Sequence, residues 1–210
     1  MDTQLLPSEP KLSILEHLEA FSSTVNFEDK YFQYCTFFVV FNPVFWNIVA
    51  RTEYNYRLLT RLTKSPKTGC YLLALIIFSL GLLRDYMFNQ ALRQQLPLTL
   101  LQNGTVKCLA VLCFAMGQLL VITSMYRLGI IGTYLGDYFG ILMKERVTGF
   151  PFNISNNPMY QGSTLSFLGT ALYYGKPAGL VITLFVYIMY KVALRFEEPF
   201  TAMIYAKKKF

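Results

Sequence analysis

Five apolar blocks alternate with polar stretches along the chain, and each reads as a helix. The first covers residues 31–50, YFQYCTFFVVFNPVFWNIVA. Pro43 interrupts it, which predicts a kink or a segment lying partly in a membrane interface. The second covers 69–88 and begins GCYLLALIIFSLGLL; the third covers 106–130, VKCLAVLCFAMGQLLVITSMYRLGI. The fourth, 162–174, is GSTLSFLGTALYY, and the fifth, 178–196, is AGLVITLFVYIMYKVALRF. A crossing needs about 20 apolar residues. Blocks two, three and five meet that length, and block four is short. The expected fold is an all-α integral membrane protein with about five apolar helices and four or five crossings. Between the last two helices stands GKP, Gly175 to Pro177, a helix stop followed by a helix start. They should form an antiparallel hairpin, bringing NNPMYQG at the start of one level with FEEPF at the end of the other.

Composition sharpens this picture. Apolar residues make up 54% of the 210 and charged residues 15%, well below the roughly 25% charged of soluble domains. The net charge of +7 does not point to nucleic acid, because the basic residues flank apolar blocks instead of forming one face. Arg51, Arg57, Arg61, Lys64 and Lys67 follow block one against Glu53 alone. Arg127, Lys144 and Arg146 follow block three, and Lys191, Arg195, Lys207, Lys208 and Lys209 lie at the end of the chain. Five crossings place these regions on one side, the cytosolic one by the positive-inside rule. Residues 1–30 form an acidic N-terminal segment without the pattern of a cleavable signal, and 31–210 read as a single membrane domain. The C-terminal KKKF has two readings, a dilysine signal for the endoplasmic reticulum or a basic tail that prefers anionic lipid. Cys35, Cys70, Cys108 and Cys113 form no CxxC pair and the only His is His17. No metal site is expected, and the cysteines read as small buried hydrophobes.

The chemistry gathers in the polar stretches. Glu197 and Glu198 are adjacent acids at a helix C-terminus, where the helix dipole disfavours them, so a cation should compensate. Pro199 reads as the helix stop. Neighbours on a helix point about 100° apart, so one carboxylate can serve a ligand and the other a protein partner. In NNPMYQG, Pro158 begins or precedes a helix with Asn157 or Asn156 as its cap. Capping leaves Tyr160 unexplained. GTYLGDYFG spaces Gly132, Gly136 and Gly140 four apart, which suits either a small-residue helix face or a flexible wrap around a ligand. Asp137 within it is a lone acid near the membrane and a candidate by that fact. Gly117, in FAMGQ, permits a close helix approach.

FNPVFWNIVAR, GTYLGDYFGILMKERVTGFPFN, NNPMYQGSTLSFLG and EEPFTAMIY, taken in order, resemble the phospholipid N-methyltransferases of the phosphatidylethanolamine-methylating family. The likeness is nearest to the fungal members that complete phosphatidylcholine synthesis, and it covers the chain after about residue 35. The Asn-Pro-x-Tyr stretch, hairpin and Glu-Glu also resemble the wider group of integral membrane methyltransferases. The resemblance implies S-adenosylmethionine as methyl donor and no Rossmann domain. It implies donor binding by the Glu197–Glu198 pair, by Asn157 and Pro158, and by a Gly-x-Gly on the third helix. That motif reads Ala115-Met116-Gly117 here, so only its second Gly matches.

The acceptor implied is a lipid amine, an ammonium with a pKa of about 10 that must lose its proton before attack. Asp137 is the favoured base, with Tyr160 or a glutamate as alternatives. Tyr134, Tyr138, Phe139 and Tyr160 supply aromatic faces for a methylated ammonium or, alternatively, an interfacial belt. Lys144 and Arg146, with Arg51 behind them, are the expected phosphate partners. The expected partners are a phospholipid and the membrane, with homo-oligomerisation open. The expected location is the endoplasmic reticulum membrane, with mitochondrial association open. Other readings are methylation of another acceptor, such as an isoprenylcysteine carboxylate, and a non-enzymatic scaffold or transporter. The last should show an internal repeat, and none is present.

Overall fold

The computed structural model describes residue 19, residues 21–145 and residues 147–207. Most of the acidic segment, His17, Arg146 and the final three residues of the KKKF tail lie outside them. Six α-helices are described: α1 Lys30–Tyr56, α2 Leu58–Thr63, α3 Pro66–Gln94, α4 Gly104–Thr133, α5 Pro158–Tyr173 and α6 Pro177–Ala206. No strand occurs among the described residues. Four helical segments are long and apolar enough to cross a membrane: α1, α3, α4 with the turn that follows it, and α6. The short block is α5, about 24 Å long at 1.5 Å per residue against a hydrocarbon core of about 30 Å.

All five long elements nevertheless run between the same two ends of the bundle. At one end Asn26 and Gln95 exchange two hydrogen bonds, Lys176 Nζ donates to the Gln95 carbonyl, and Leu98 N–H donates to that of Gly175. At the other end α1 and α5 both bond Glu197 of α6. The hairpin expected from GKP is present. Gly175 takes a left-handed φ of 62° and the N–H of Lys176 reaches back to Ala171. From Glu197, α6 continues to Ala206, about 14 Å further. The start of α5 is therefore recessed within the bundle.

The core joins α1, α3, α5 and α6 through Phe32, Cys35, Val39, Phe88, Leu92, Phe167, Ile182 and Val186. Helices α4 and α5 meet more closely. A Cβ on Gly117 would lie 2.5 Å from Ser166 Oγ and 2.6 Å from the Gly162 carbonyl, and one on Gly169 2.6 Å from Phe114 N. Small residues let two backbones touch where surrounding lipid offers no hydrophobic drive for association.

Several boundaries differ from the expectation. Helix α1 is continuous through Pro43 and runs six residues beyond 50, because RTEYNY is polar yet helix-competent. Helix α4 breaks at Gly129 (φ 63°, ψ 178°), beside the expected end at 130, and then resumes to Thr133. Pro199 is not a stop: α6 passes through it. The N–H that Pro199 lacks would have met the Arg195 carbonyl, and Arg51 Nη2 donates to the adjacent Phe196 carbonyl at 2.8 Å. Nor are all the cysteines buried: Cys35 and Cys70 are, whereas Cys108 is exposed on α4.

Glu53 explains how α1 turns into α2. It is 1% exposed, and its carboxylate accepts from the N–H of Leu59 at 2.6 Å and from the N–H and hydroxyl of Thr60. These are orphan donors of the α2 N-terminus, where negative charge is favourable. Glu53→Gln should lower stability by about 1–3 kcal/mol, read as a lower melting temperature in detergent. An unchanged melt would show that the cap contributes nothing.

Candidate active site

Glu197 is the hub of the polar end. Its Oε1 accepts from Trp46 Nε1 and from Asn47 Nδ2 at 2.9 Å, and its Oε2 from the Tyr160 hydroxyl at 2.6 Å. One carboxylate thus ties α1, α5 and α6 together through three donors. Hydrogen bonds to an ionised acceptor are the stronger kind. Glu198, about 100° round the helix, is exposed and accepts from Asn157 Nδ2 at 2.7 Å. Asn157 occupies the N-cap position of α5 but makes no cap bond with its side chain, which goes to Glu198. Pro158 is buried at the first position of α5. NNPMYQG and FEEPF therefore meet as the hairpin required.

Asp137 joins them from the turn after α4. Its Oδ2 accepts from Thr201 Oγ1 at 3.1 Å, and Thr201 lies one turn beyond Glu197 on α6. The turn is a short 3-10 helix, Gly136–Phe139, so the three spaced glycines do not share one helix face. Gly136 packs on Ile131, with a built Cβ 2.2 Å from Ile131 Cγ2, and Gly140 ends the turn at φ 77°. Tyr138 and Phe139 are buried. Tyr138 stacks on Phe200, with centroids 5.1 Å apart, and Phe139 packs with Cys70 and Leu73. They anchor the turn that presents Asp137. Tyr134 caps α4 and is half-buried, and its carbonyl accepts from the Cys70 thiol at 3.5 Å. Lys144 is exposed and Arg146 lies outside the described residues.

Ala115-Met116-Gly117 is not among the groups bonded to the glutamates. Ala115 and Met116 are exposed on α4, and Gly117 is packed against Gly162 and Ser166 of α5.

Trp46 and Asn47 stand at the centre of the site but were not singled out as site residues from the sequence. Their signal was polar or hydrogen-bonding side chains inside an apolar helix. Arg84 was missed as well, a charge within the apolar run of α3. Its guanidinium grips Asp85 Oδ1 at 2.9 and 3.0 Å, donates to Tyr190 Oη at 2.7 Å and lies 4.9 Å over Phe167. The Tyr190 hydroxyl is 3.0 Å from Ser163 Oγ, and its ring meets Tyr160 edge-on at 4.9 Å. An intramembrane cation is thus fixed behind Tyr160, paired as such charges usually are.

Three carboxylates, Asp137, Glu197 and Glu198, consequently sit on neighbouring elements. Among the described residues the only ion pair is Arg84–Asp85, so none of the three has a salt-bridge partner there. Asn47 Oδ1 and Arg51 Nε, on α1 beside them, are buried without hydrogen-bond partners among the described residues. The arrangement can receive a cation.

Comparison with known proteins bears on the same residues. The family profile described as Phospholipid methyltransferase matches residues 106–208. The chain is 58% identical over 198 residues to the phosphatidyl-N-methylethanolamine N-methyltransferase of Saccharomyces cerevisiae, covering 94% of this chain and 96% of that one. It is 50% identical to the phosphatidylethanolamine N-methyltransferase A of Dictyostelium discoideum, covering 91% and 90%. With the phosphatidylethanolamine N-methyltransferase of Homo sapiens the identity is 46%, covering 81% and 85%. No solved structure matches. With matching of this extent along a helical membrane chain, the protein belongs to the phospholipid methyltransferase family.

Proposed function

We propose that this protein transfers methyl groups from S-adenosylmethionine to the amine of ethanolamine phospholipids, chiefly the monomethyl and dimethyl forms, yielding phosphatidylcholine. The observation that carries the reading is the meeting of Asp137, Glu197 and Glu198 without a cationic side chain paired to them among the described residues. When bound, the donor supplies a methyl group on a positively charged sulfur, which a deprotonated amine takes by in-line displacement. That charge, and the donor's α-amino group, suit the exposed Glu198 and the fixed carboxylate of Glu197. Asn157 and Pro158 set the position of Glu198 through the Asn157 amide.

Asp137 accepts the proton that the lipid ammonium must lose. It sits on a turn anchored by Tyr138 and Phe139, and Thr201 holds one of its oxygens. Tyr160 already donates its proton to Glu197, so it acts through that carboxylate, keeping it oriented. Alignment of the reacting atoms is where such a site gains most of its rate. Gly117 contributes by letting α5, which carries Tyr160, approach α4. The names of the relatives support an ethanolamine phospholipid as acceptor. The basic segments after α1 and α4 and at the chain end support a site on the cytosolic side of the membrane.

The test is transfer from labelled donor with phosphatidylethanolamine, its monomethyl form and its dimethyl form offered separately to purified protein in vesicles. We expect labelled lipid from the two partly methylated acceptors at higher rates than from the unmethylated one. Transfer to none of the three, by protein that binds the donor, would move the reading to another amphipathic acceptor such as a prenylated carboxylate. No donor binding would overturn it.

A further inference from the structure

Between α1 and α6 lies a groove of about 250 Å³, open along the side of the bundle. Pro43, Val44 and Ile48 of α1 face Met189, Val192 and Phe196 of α6 across it, over the buried Ala193. Its two polar lining residues are Asn47 and Arg51, one turn apart on α1 at the end nearest the carboxylates. Volumes below about 300 Å³ are small for a whole ligand, so the groove suits one limb of a larger molecule whose remainder stays in the surrounding membrane.

Arg51 is the unusual member. Its Nη2 donates to the Phe196 carbonyl, and its guanidinium carbon lies 4.7 Å from the Phe200 ring centre and 5.9 Å from that of Phe196. It has no carboxylate partner among the described residues, and its Nε is buried without a hydrogen-bond partner among them. A half-buried guanidinium without a counter-ion is unfavourable unless an anion completes it. Two aromatic rings fix its plane, and a planar fork of donors matches phosphate oxygens. Asn47, one turn away and about 5.4 Å along the axis, bonds Glu197 directly, and its Oδ1 is also buried and unpartnered.

We propose that this groove is the lateral entry site for the phospholipid substrate, with its phosphate on Arg51 and one acyl chain along the apolar walls. The ethanolamine amine, two carbons from the phosphate, then lies beside Asn47 and Glu197. The assignment rests on the reading of the chain as a phospholipid methyltransferase and adds the place where the lipid docks. Of the phosphate partners expected from the sequence, Lys144, Arg146 and Arg51, it puts Arg51 first, because Arg51 lines the groove whereas Lys144 is exposed on the loop after Asp137.

The test combines a crosslinker with kinetics. A phosphatidyl-N-methylethanolamine carrying a diazirine on one acyl chain is photolysed with the full-length protein in vesicles, and the labelled peptides are mapped. Labelling of residues 43–51 and 189–196, suppressed in Ile48→Trp and Val192→Trp, is the expected result. Both replaced side chains lie on the exposed rim, 60% and 39% exposed, so the core is spared. Arg51→Gln should raise the lipid KM about tenfold or more while donor affinity measured by calorimetry stays within about twofold, with Arg51→Lys intermediate. Labelling elsewhere in the bundle, labelling indifferent to both tryptophans, or crosslinks mainly to a second copy of the chain would overturn the groove. So would an Arg51→Gln enzyme with an unchanged lipid KM. Because the crosslink needs no turnover, groove labelling without methyl transfer would count against methylation of this lipid while leaving the docking site standing.

Discussion

Glu197→Gln should leave the protein folded and cut methyl transfer by at least about 100-fold. The side chain keeps its shape. If the amide oxygen takes the Oε1 position it still accepts from Trp46 and Asn47. The amide nitrogen then faces the Tyr160 hydroxyl, which turns to accept instead of donate. What disappears is the negative charge. Removing one preorganised electrostatic group from an active site costs about 10²–10³ in rate. The loss should appear in donor affinity as well as turnover, with only a small drop in melting temperature. Glu198→Gln, on an exposed carboxylate with one amide partner, should cost less, because water screens it. Wild-type transfer by Glu197→Gln would remove the carboxylate from the mechanism, and a collapsed melt would assign it to the fold.

Gly117→Ala should do the opposite, losing stability first and activity as a consequence. The added Cβ would sit 2.5 Å from Ser166 Oγ, 2.6 Å from the Gly162 carbonyl and 2.8 Å from Ser166 N. Two of those three neighbours are backbone atoms, so relief requires α4 and α5 to separate. Overpacking of this kind typically costs about 1–3 kcal/mol, occasionally more. Moving α5 also displaces Tyr160 from Glu197. We expect a melting temperature several degrees lower and a matched loss of transfer, with Gly117→Leu failing to give monodisperse protein. A Gly117→Ala protein that melts like wild type yet fails to bind the donor would refute the packing account and restore the donor-binding role that the resemblance implied.

These two residues mark what the chain discloses in its linear order. Glu197, Glu198, Asn157 and Pro158 could be placed together from sequence because one hairpin and the level of its two ends bring them there. Gly117 was legible as a close approach, since an apolar helix keeps a mid-helix glycine for few other reasons. Tyr138 and Phe139 were not legible as anchors. Beside Asp137, an aromatic pair reads equally as a cage for an ammonium, and only the packing on Phe200 and Cys70 separates the two. Trp46 and Asn47 escaped because their partner lies about 150 positions away, and no local pattern encodes that meeting. The ends of α1 and α6 escaped because apolarity stops where the membrane does, whereas helical hydrogen bonding continues.

Trp46 has a practical consequence. It is the only tryptophan among the 210 residues, and its indole N–H points at Glu197. Excited at the red edge of the absorption band, where the fifteen tyrosines no longer absorb, the protein therefore emits from a single ring in direct contact with the hub carboxylate. Indole emission shifts with the charge beside it, so a cation arriving there will be visible in the unlabelled wild-type protein without a chemical step. The enzyme carries its own optical gauge of site occupancy, and titrations of donor, product and lipid can be followed with it.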